Sequence, residues 1–268
     1  MKKILNLILG TLIVISVSCT GKNKPLAILG AFYEEIRMLE DSLEHKKTGT
    51  INGINYSYGK LAGKDVILAY TGIGKVNAAM TTALFINEFK PERVIFTGIA
   101  GGLNPGLQPT DIVVAEQCVH HDLVHISGNE SQSYIVTNPL NGTDNPVFFD
   151  SDTLMIKILR KLSQDLKLIR YDTTYMPGIF FGTIATGDAF IASQVKKKEL
   201  TDRFGADAVE MEGAAIAQVC FQFDVPFVII RSISDNADEN ADFVLEKFLT
   251  VASENANLVV MRLVGDLP

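Results

Sequence analysis

From Pro25 onward, short apolar runs alternate with stretches in which apolar residues return every three or four positions. LAILG at 26–30 is too short for a helix and unbroken enough for a strand buried on both faces. Over 33–43, Ile36, Leu39 and Leu43 share one side of a helical period and predict an amphipathic helix. INYSYGKLAGKDVILAY predicts two strands joined by a glycine-containing turn. TGIGKVNAAMTTALFINEF opens a helix after glycines, and Pro91 stands just past its end. RVIFTGIAGGL reads as a buried strand running into glycines, and DIVVAEQCV as another strand. Beyond a polar stretch at 120–145, the pattern predicts a helix over 153–166, the strand GTIATG and a helix over 194–204. The strand DAVEM, a helix over 213–223, the strand PFVIIRSIS and a last helix over 241–264 complete the chain.

Strands and helices alternating in this way predict an α/β sandwich, one sheet with helices on both faces. No repeat and no shift in composition divides 25–268, which reads as a single domain. The stretch 120–145 is long for an irregular segment, which marks it as mobile or functional. The beginning differs. MKK, then the uncharged ILNLILGTLIVISVS, has the charged and apolar regions of an export signal over 1–18. Cys19 follows small residues at the boundary, the arrangement of lipoprotein processing, with Cys19 lipidated and 19–24 as a tether. That reading makes the protein exported and membrane-anchored, periplasmic or at the cell surface. Ordinary signal cleavage and a retained membrane helix are the alternatives.

The 24 Lys and Arg are outnumbered by 31 Asp and Glu, and a net charge of −7 argues against nucleic acid as the main partner. Lys196, Lys197 and Lys198 form too short a run to change this. After Cys19 only Cys118 and Cys220 remain, far apart and without metal-ligand spacing, so both read as buried thiols and no disulfide is required. His120, His121 and His125 lack the spacing of a helical zinc pair and have no matching ligands nearby. Neither a metal nor a cofactor is expected.

Candidate chemistry gathers where strands end, the place where open α/β sheets bind ligands. Glu34 and Glu35 follow the first strand, Ile99, Ala100 and Gly101 end VIFTGIAGG, and Phe190 follows GTIATGDA. Glu210, Met211 and Glu212 follow DAV, Ser234 and Asp235 end FVIIRSISD, and Arg231 interrupts that apolar strand. Unpaired buried acids are costly, so this crowd of carboxylates fits a site better than a scaffold. Taken alone, AVEMEGAAIA has a simpler reading, in which Glu212 caps a helix and Glu210 is solvated. TGIGK is a fragment of a phosphate loop without the remaining spacing; its glycines suit a close turn.

In their order, GAFYEE, TGIGKVNAA, TGIAGG, DIVVAE, TGDAFI, VEMEGAAIAQVC and VPFVIIRSISDNAD make the chain resemble the bacterial 5′-methylthioadenosine/S-adenosylhomocysteine nucleosidases, of the nucleoside phosphorylase superfamily. The similarity runs from about Leu26 to the last helix. The resemblance implies a three-layer α/β/α sandwich around a twisted mixed sheet, a homodimer, and hydrolysis of the N-glycosidic bond of an adenine nucleoside. Asp235 matches the acid that protonates the leaving adenine, with Ser234 to orient it. Glu35 matches the base that activates water, and Arg231 an arginine near the water site. Glu212 matches the group that grips the ribose hydroxyls, with Met211 under the sugar and Glu210 beside it in the binding loop. Phe190 matches the ring stacked on adenine, and the backbone around Ile191 would read the base edge. One departure concerns TGIAGG, where many relatives have serine and this chain has Ile99; water positioning then falls to Glu35, Arg231 and backbone groups. A phosphorylase of the same superfamily, or an exported nucleoside-binding lipoprotein without turnover, are the rival readings. The choice among methylthioadenosine, adenosylhomocysteine, 5′-deoxyadenosine and futalosine is left open.

Overall fold

The computed structural model describes residues 24–128 and 130–268, so the expected export signal and Cys19 lie outside the described residues. In chain order the elements are β1 (Leu26–Gly30), α1 (Tyr33–Asp41), β2 (Glu44–Ile51), β3 (Ile54–Leu61), β4 (Lys64–Tyr70), α2 (Lys75–Phe89), β5 (Arg93–Gly102) and β6 (Ile112–His120). There follow β7 (Val124–Ser127), β8 (Glu130–Ser133), β9 (Phe148–Asp150), α3 (Thr153–Asp165), β10 (Ile179–Thr186) and α4 (Gln194–Phe204). The chain ends with β11 (Ala206–Glu210), α5 (Gly213–Gln222), β12 (Phe227–Asp235) and α6 (Ala241–Asp266).

Side chains along a strand alternate between faces, and here each face has its own layer of helices. Ala27 and Leu29 of β1 pack with Ala78 and Phe85 of α2 and Ile216 of α5. Leu26 and Ile28 pack on the other face with Leu39 of α1, Leu159 of α3 and Val260 of α6. The expected three-layer α/β/α sandwich is thus formed, around a mixed sheet in the order β11-β10-β6-β12-β5-β1-β4-β3-β2.

One feature of the sheet positions the site. The strands curl until β11 returns to pair antiparallel with β5, Val209 opposite Gly101. On the other side of β5, β12 runs parallel to it, with Arg231 opposite Gly98 and Asp235 opposite Gly101. Three strand ends therefore converge on the glycines of TGIAGG.

The sequence expectations differ from the structure in five places, one of them the unexpected three-residue β9, paired to β6. α1 ends at Asp41 instead of running to 43, because the chain turns into β2. β2 itself, EHKKTGTI, was not expected; it is an exposed edge strand with no apolar face, paired to β3. The stretch 120–145 is not irregular throughout, since β7 and β8 form a hairpin within it. β10 begins at Ile179, before GTIATG, where it pairs with Ile112.

Candidate active site

A cavity of about 470 Å³ opens at the ends of β1, β5, β11 and β12. Glu34, Glu35, Glu210, Glu212 and Asp235 line it, with Phe32, Ile73, Phe190, Met211, Leu245 and Leu249 as its apolar walls. No basic residue is among the described residues that line it. Volume alone does not single it out, because an equally large cavity lies by β2 and β3. That one has a single acid, Glu40, already bound to Ser57 and Lys46.

Arg231 lies behind the carboxylates, fully buried. Its Nη1 donates to Glu35 Oε1 and to the Thr97 carbonyl, each at 3.3 Å. Its Nη2 donates to Glu210 and, at 3.1 Å, to Glu212 Oε2. The guanidinium also stands 4.0 Å above the Phe96 ring. The rigid planar fork, with its five N–H donors, reaches three carboxylates in one fixed geometry. Burial works against its charge, but the three glutamates outweigh this and hold it even more firmly protonated than usual.

Glu35 is brought in by the first turn of α1. Its Oε2 accepts from the N–H of Ala31 at 2.5 Å and of Phe32 at 3.4 Å, and its Oε1 from the N–H of Ile99 at 2.9 Å. Burial pushes its carboxyl above the usual range, against the opposing pull of Arg231 and these donors. Gly98 makes the approach of acid and arginine feasible. A Cβ there would collide with both side chains, and its φ of +154° disfavours any other residue.

Asp235 ends β12 with 2% exposure. Its Oδ2 accepts from Ser234 Oγ at 2.8 Å and its Oδ1 from the N–H of Ala237 at 2.8 Å. Burial raises its pKa, only partly offset by these two donors. A carboxyl disposed to keep its proton and facing a cavity is equipped as a general acid.

The simple reading of AVEMEGAAIA fails for both acids: neither is solvated, and the one that caps is Glu210. Glu210 is buried and does the capping: it accepts from the N–H groups of Glu212 and Gly213 at the start of α5 and from Thr186 Oγ1. Glu212 caps nothing with its side chain. One oxygen accepts from the N–H of Gly74 at 2.8 Å and the other from Arg231, leaving the carboxylate along the cavity wall. Burial, then the neighbouring charge of Glu210, raise its pKa to about 7 despite Arg231. Glu210 is therefore an anchor for the wall, with both oxygens engaged within the protein.

Apart from Cys19, which lies outside the described residues, the other expected site residues also reach the cavity or its frame. Ile99, Ala100, Gly101, Phe190, Met211 and Ser234 line it, while Ile191 is buried just behind Phe190. Ile99 contributes its backbone to Glu35 and an apolar side chain to the wall. The TGIGK turn has no free anion site of its own, because Gly74 N–H holds Glu212 and Lys75 N–H holds Asp188. The sequence reading missed Leu245 and Leu249, whose spacing on a helix looks like ordinary core, and missed Lys75, Asp122 and Asp188. Cys118 and Cys220 are free and buried. His120 Nε2 lies 3.0 Å from Gln218 Oε1, and His121 packs beneath Gly187.

Comparison with known proteins follows the same lines. The profile of a family described as the phosphorylase superfamily matches residues 25–265. A 5′-methylthioadenosine/S-adenosylhomocysteine nucleosidase of Bacillus thuringiensis subsp. konkukian is 36% identical over 243 residues, 90% of this chain and 99% of that protein. The crystal structure of the corresponding nucleosidase of Neisseria meningitidis, in complex with methylthio-immucillin-A, is similar with a TM-score of 0.79 and 36% identity. That match covers 91% of this chain and all of the other. A futalosine hydrolase of Helicobacter pylori also has a TM-score of 0.79, with 32% identity over 91% of this chain and 98% of its own.

Proposed function

The chain belongs to the phosphorylase superfamily and, within it, to the 5′-methylthioadenosine/S-adenosylhomocysteine nucleosidases, and from that premise we propose how its cavity works. The protein is a purine nucleosidase: it hydrolyses the N-glycosidic bond of methylthioadenosine and adenosylhomocysteine, giving adenine and the 5-thio-substituted ribose. In this reading Asp235, whose carboxyl burial raises above its usual range, donates a proton to N7 of the purine so that adenine leaves as a neutral base. Glu35 takes a proton from the water that attacks the anomeric carbon, and Arg231 with the Ile99 N–H holds its carboxylate in place. Glu212 accepts hydrogen bonds from the ribose hydroxyls, Met211 lies under the sugar and Phe190 stacks on the base. An acid and a base acting separately on leaving group and water follow the logic of inverting glycoside hydrolysis.

The observation that carries the reading is the charge of the cavity. Five acidic side chains and no basic residue line it among the described residues, so it offers an anion no cation and meets it with those acids that are ionised. Positive charge developing on the sugar is favoured there, and a phosphate anion is repelled. Hydrolysis is thereby favoured over phosphorolysis. Asp235→Asn and Glu35→Gln are each expected to lower kcat/KM for adenine release at least about a hundredfold, the scale of general acid–base catalysis. Release at the wild-type rate in either variant would remove that residue from the mechanism.

The location and assembly belong to the same proposal. The apolar stretch before Cys19 supports lipidation at Cys19 and anchoring of an exported enzyme to a membrane. Incorporation of labelled fatty acid, abolished in Cys19→Ser, is the expected result; an unlabelled wild type would rule the anchor out, and labelling that survives the substitution would rule out Cys19 as its site. Ile73, Val76 and Met80, all exposed near the start of α2, support a homodimer through this face. Ile73 also lines the cavity, so the second copy would cover one of its edges.

A further inference from the structure

Two consecutive backbone donors at the start of α2 hold two different parts of the cavity. Gly74 N–H donates to Glu212 Oε1 at 2.8 Å, and Lys75 N–H donates to Asp188 Oδ1 at 2.8 Å. The ammonium of Lys75 lies 2.6 Å from Asp122 Oδ1 and 3.9 Å from Asp188 Oδ2. Asp122 Oδ2 in turn accepts from the N–H of Asp188 at 3.0 Å. The bonds close a ring through the α2 N-terminus, the turn after β6 and the loop after β10.

Phe190 stands two residues beyond Asp188, in a loop without regular structure, and is 48% exposed. Ile191, buried in a cluster with Leu103 and Val209, and Gly187 N–H on the Glu210 carbonyl at 3.1 Å hold the loop on its other sides. Downstream it is tied to the segment before α6 by Ser193 N–H on the Ala237 carbonyl and Gln194 N–H on Glu239, each at 3.2 Å. An exposed ion pair contributes little by itself. Here, however, both acids also accept backbone N–H groups, and Lys75 keeps only 21% of its side chain exposed. The Asp122 carboxyl is held below its usual range: burial opposes this, but Lys75 and the Asp188 N–H prevail.

We infer that Lys75, Asp122 and Asp188 are positioning residues, a joint that fixes the Phe190 loop against Glu212. The inference rests on the nucleosidase reading, in which Phe190 holds the base and Glu212 the sugar. The joint sets the distance between these two grips through adjacent residues of one helix start. It touches neither the proton donor nor the base, so its loss should weaken binding and leave chemistry nearly intact.

The test compares wild type with Lys75→Met, Asp122→Asn and Lys75→Arg. Adenine binding is read by titration calorimetry, and KM and kcat are read on methylthioadenosine. Lys75→Met and Asp122→Asn are expected to bind adenine about tenfold more weakly and to raise KM about tenfold, with kcat within about threefold. Lys75→Arg, which keeps the cation, should recover most of the affinity. Wild-type adenine affinity in Lys75→Met and Asp122→Asn, a loss confined to kcat, or no recovery with arginine would overturn the joint. Should Lys75→Met fail to fold, Asp122→Asn carries the comparison alone. A wild-type protein that neither binds adenine nor releases it would overturn the nucleosidase reading and this inference together; an active wild type with unaffected variants would overturn the joint only.

Discussion

Glu212 holds a carboxyl at about 7 although Gly74 N–H and Arg231 both bind it, because burial and the charge of Glu210 disfavour its anion. Its folded pKa lies above the reference value of 4.5, so between these two values the native protein binds more protons than the unfolded chain. Stability from this group is complete below the lower value and is lost as pH rises through the upper one. Glu212→Gln cannot titrate there. Melting temperatures from pH 5 to pH 8 should therefore fall less steeply in this variant than in wild type, and identical slopes would contradict the assignment. At this scale much of the site was legible in the sequence. Glu35, Glu212 and Asp235 follow strands, and a strand end in an α/β sheet is a place where an acid needs a reason. The sequence placed Glu210 beside the binding site but not its capping role, because its donors, apart from α5 itself, come from Thr186 on β10 and Arg231 on β12. Lys75 and Asp188 gave no signal, being 113 residues apart in the chain.

At the scale of elements, β5 and β12 work as a pair. Gly98 lies opposite Arg231 and Gly101 opposite Asp235, so the glycines of one strand make room for the charged groups of the other. Gly98→Ala combines a strained backbone with a collision against Glu35 and Arg231. It is expected to cost about 2 kcal/mol of stability or more by chemical denaturation, by the scale of such strained positions; a cost near zero would mean that the contact is looser than described. Arg231→Met should cost about 3–5 kcal/mol, since it leaves buried carboxylates without their partner. The same measurement checks this, and a neutral result would remove Arg231 as their counter-charge. Elements buried on both faces, such as β1, β5 and β12, announced themselves as unbroken apolar runs. β2, with its exposed EHKKTGTI, and β8, ESQS, did not, because their pairing and not their burial makes them strands. β9 is three residues long and exists only through its pairing with β6.

For the whole molecule, the curl that brings β11 back to β5 gathers residues from four distant strand ends around one acid-lined cavity. The alternation of strands and helices predicted the layers, but not this closure, which depends on the twist of the assembled sheet. It matters for the proposed chemistry, because it encloses five acidic side chains and no basic one among the described residues where an anionic co-substrate would have to enter. The most direct measurement uses a soluble form beginning at Thr20, incubated with methylthioadenosine in the presence and absence of phosphate, with the sugar product identified. Futalosine in parallel reports on the activity of the Helicobacter pylori relative. Adenine and free methylthioribose, formed at the same rate without phosphate and lost in Asp235→Asn, are the predicted result. Dependence on phosphate with a sugar 1-phosphate as product, or nucleoside binding with no adenine released, would contradict it.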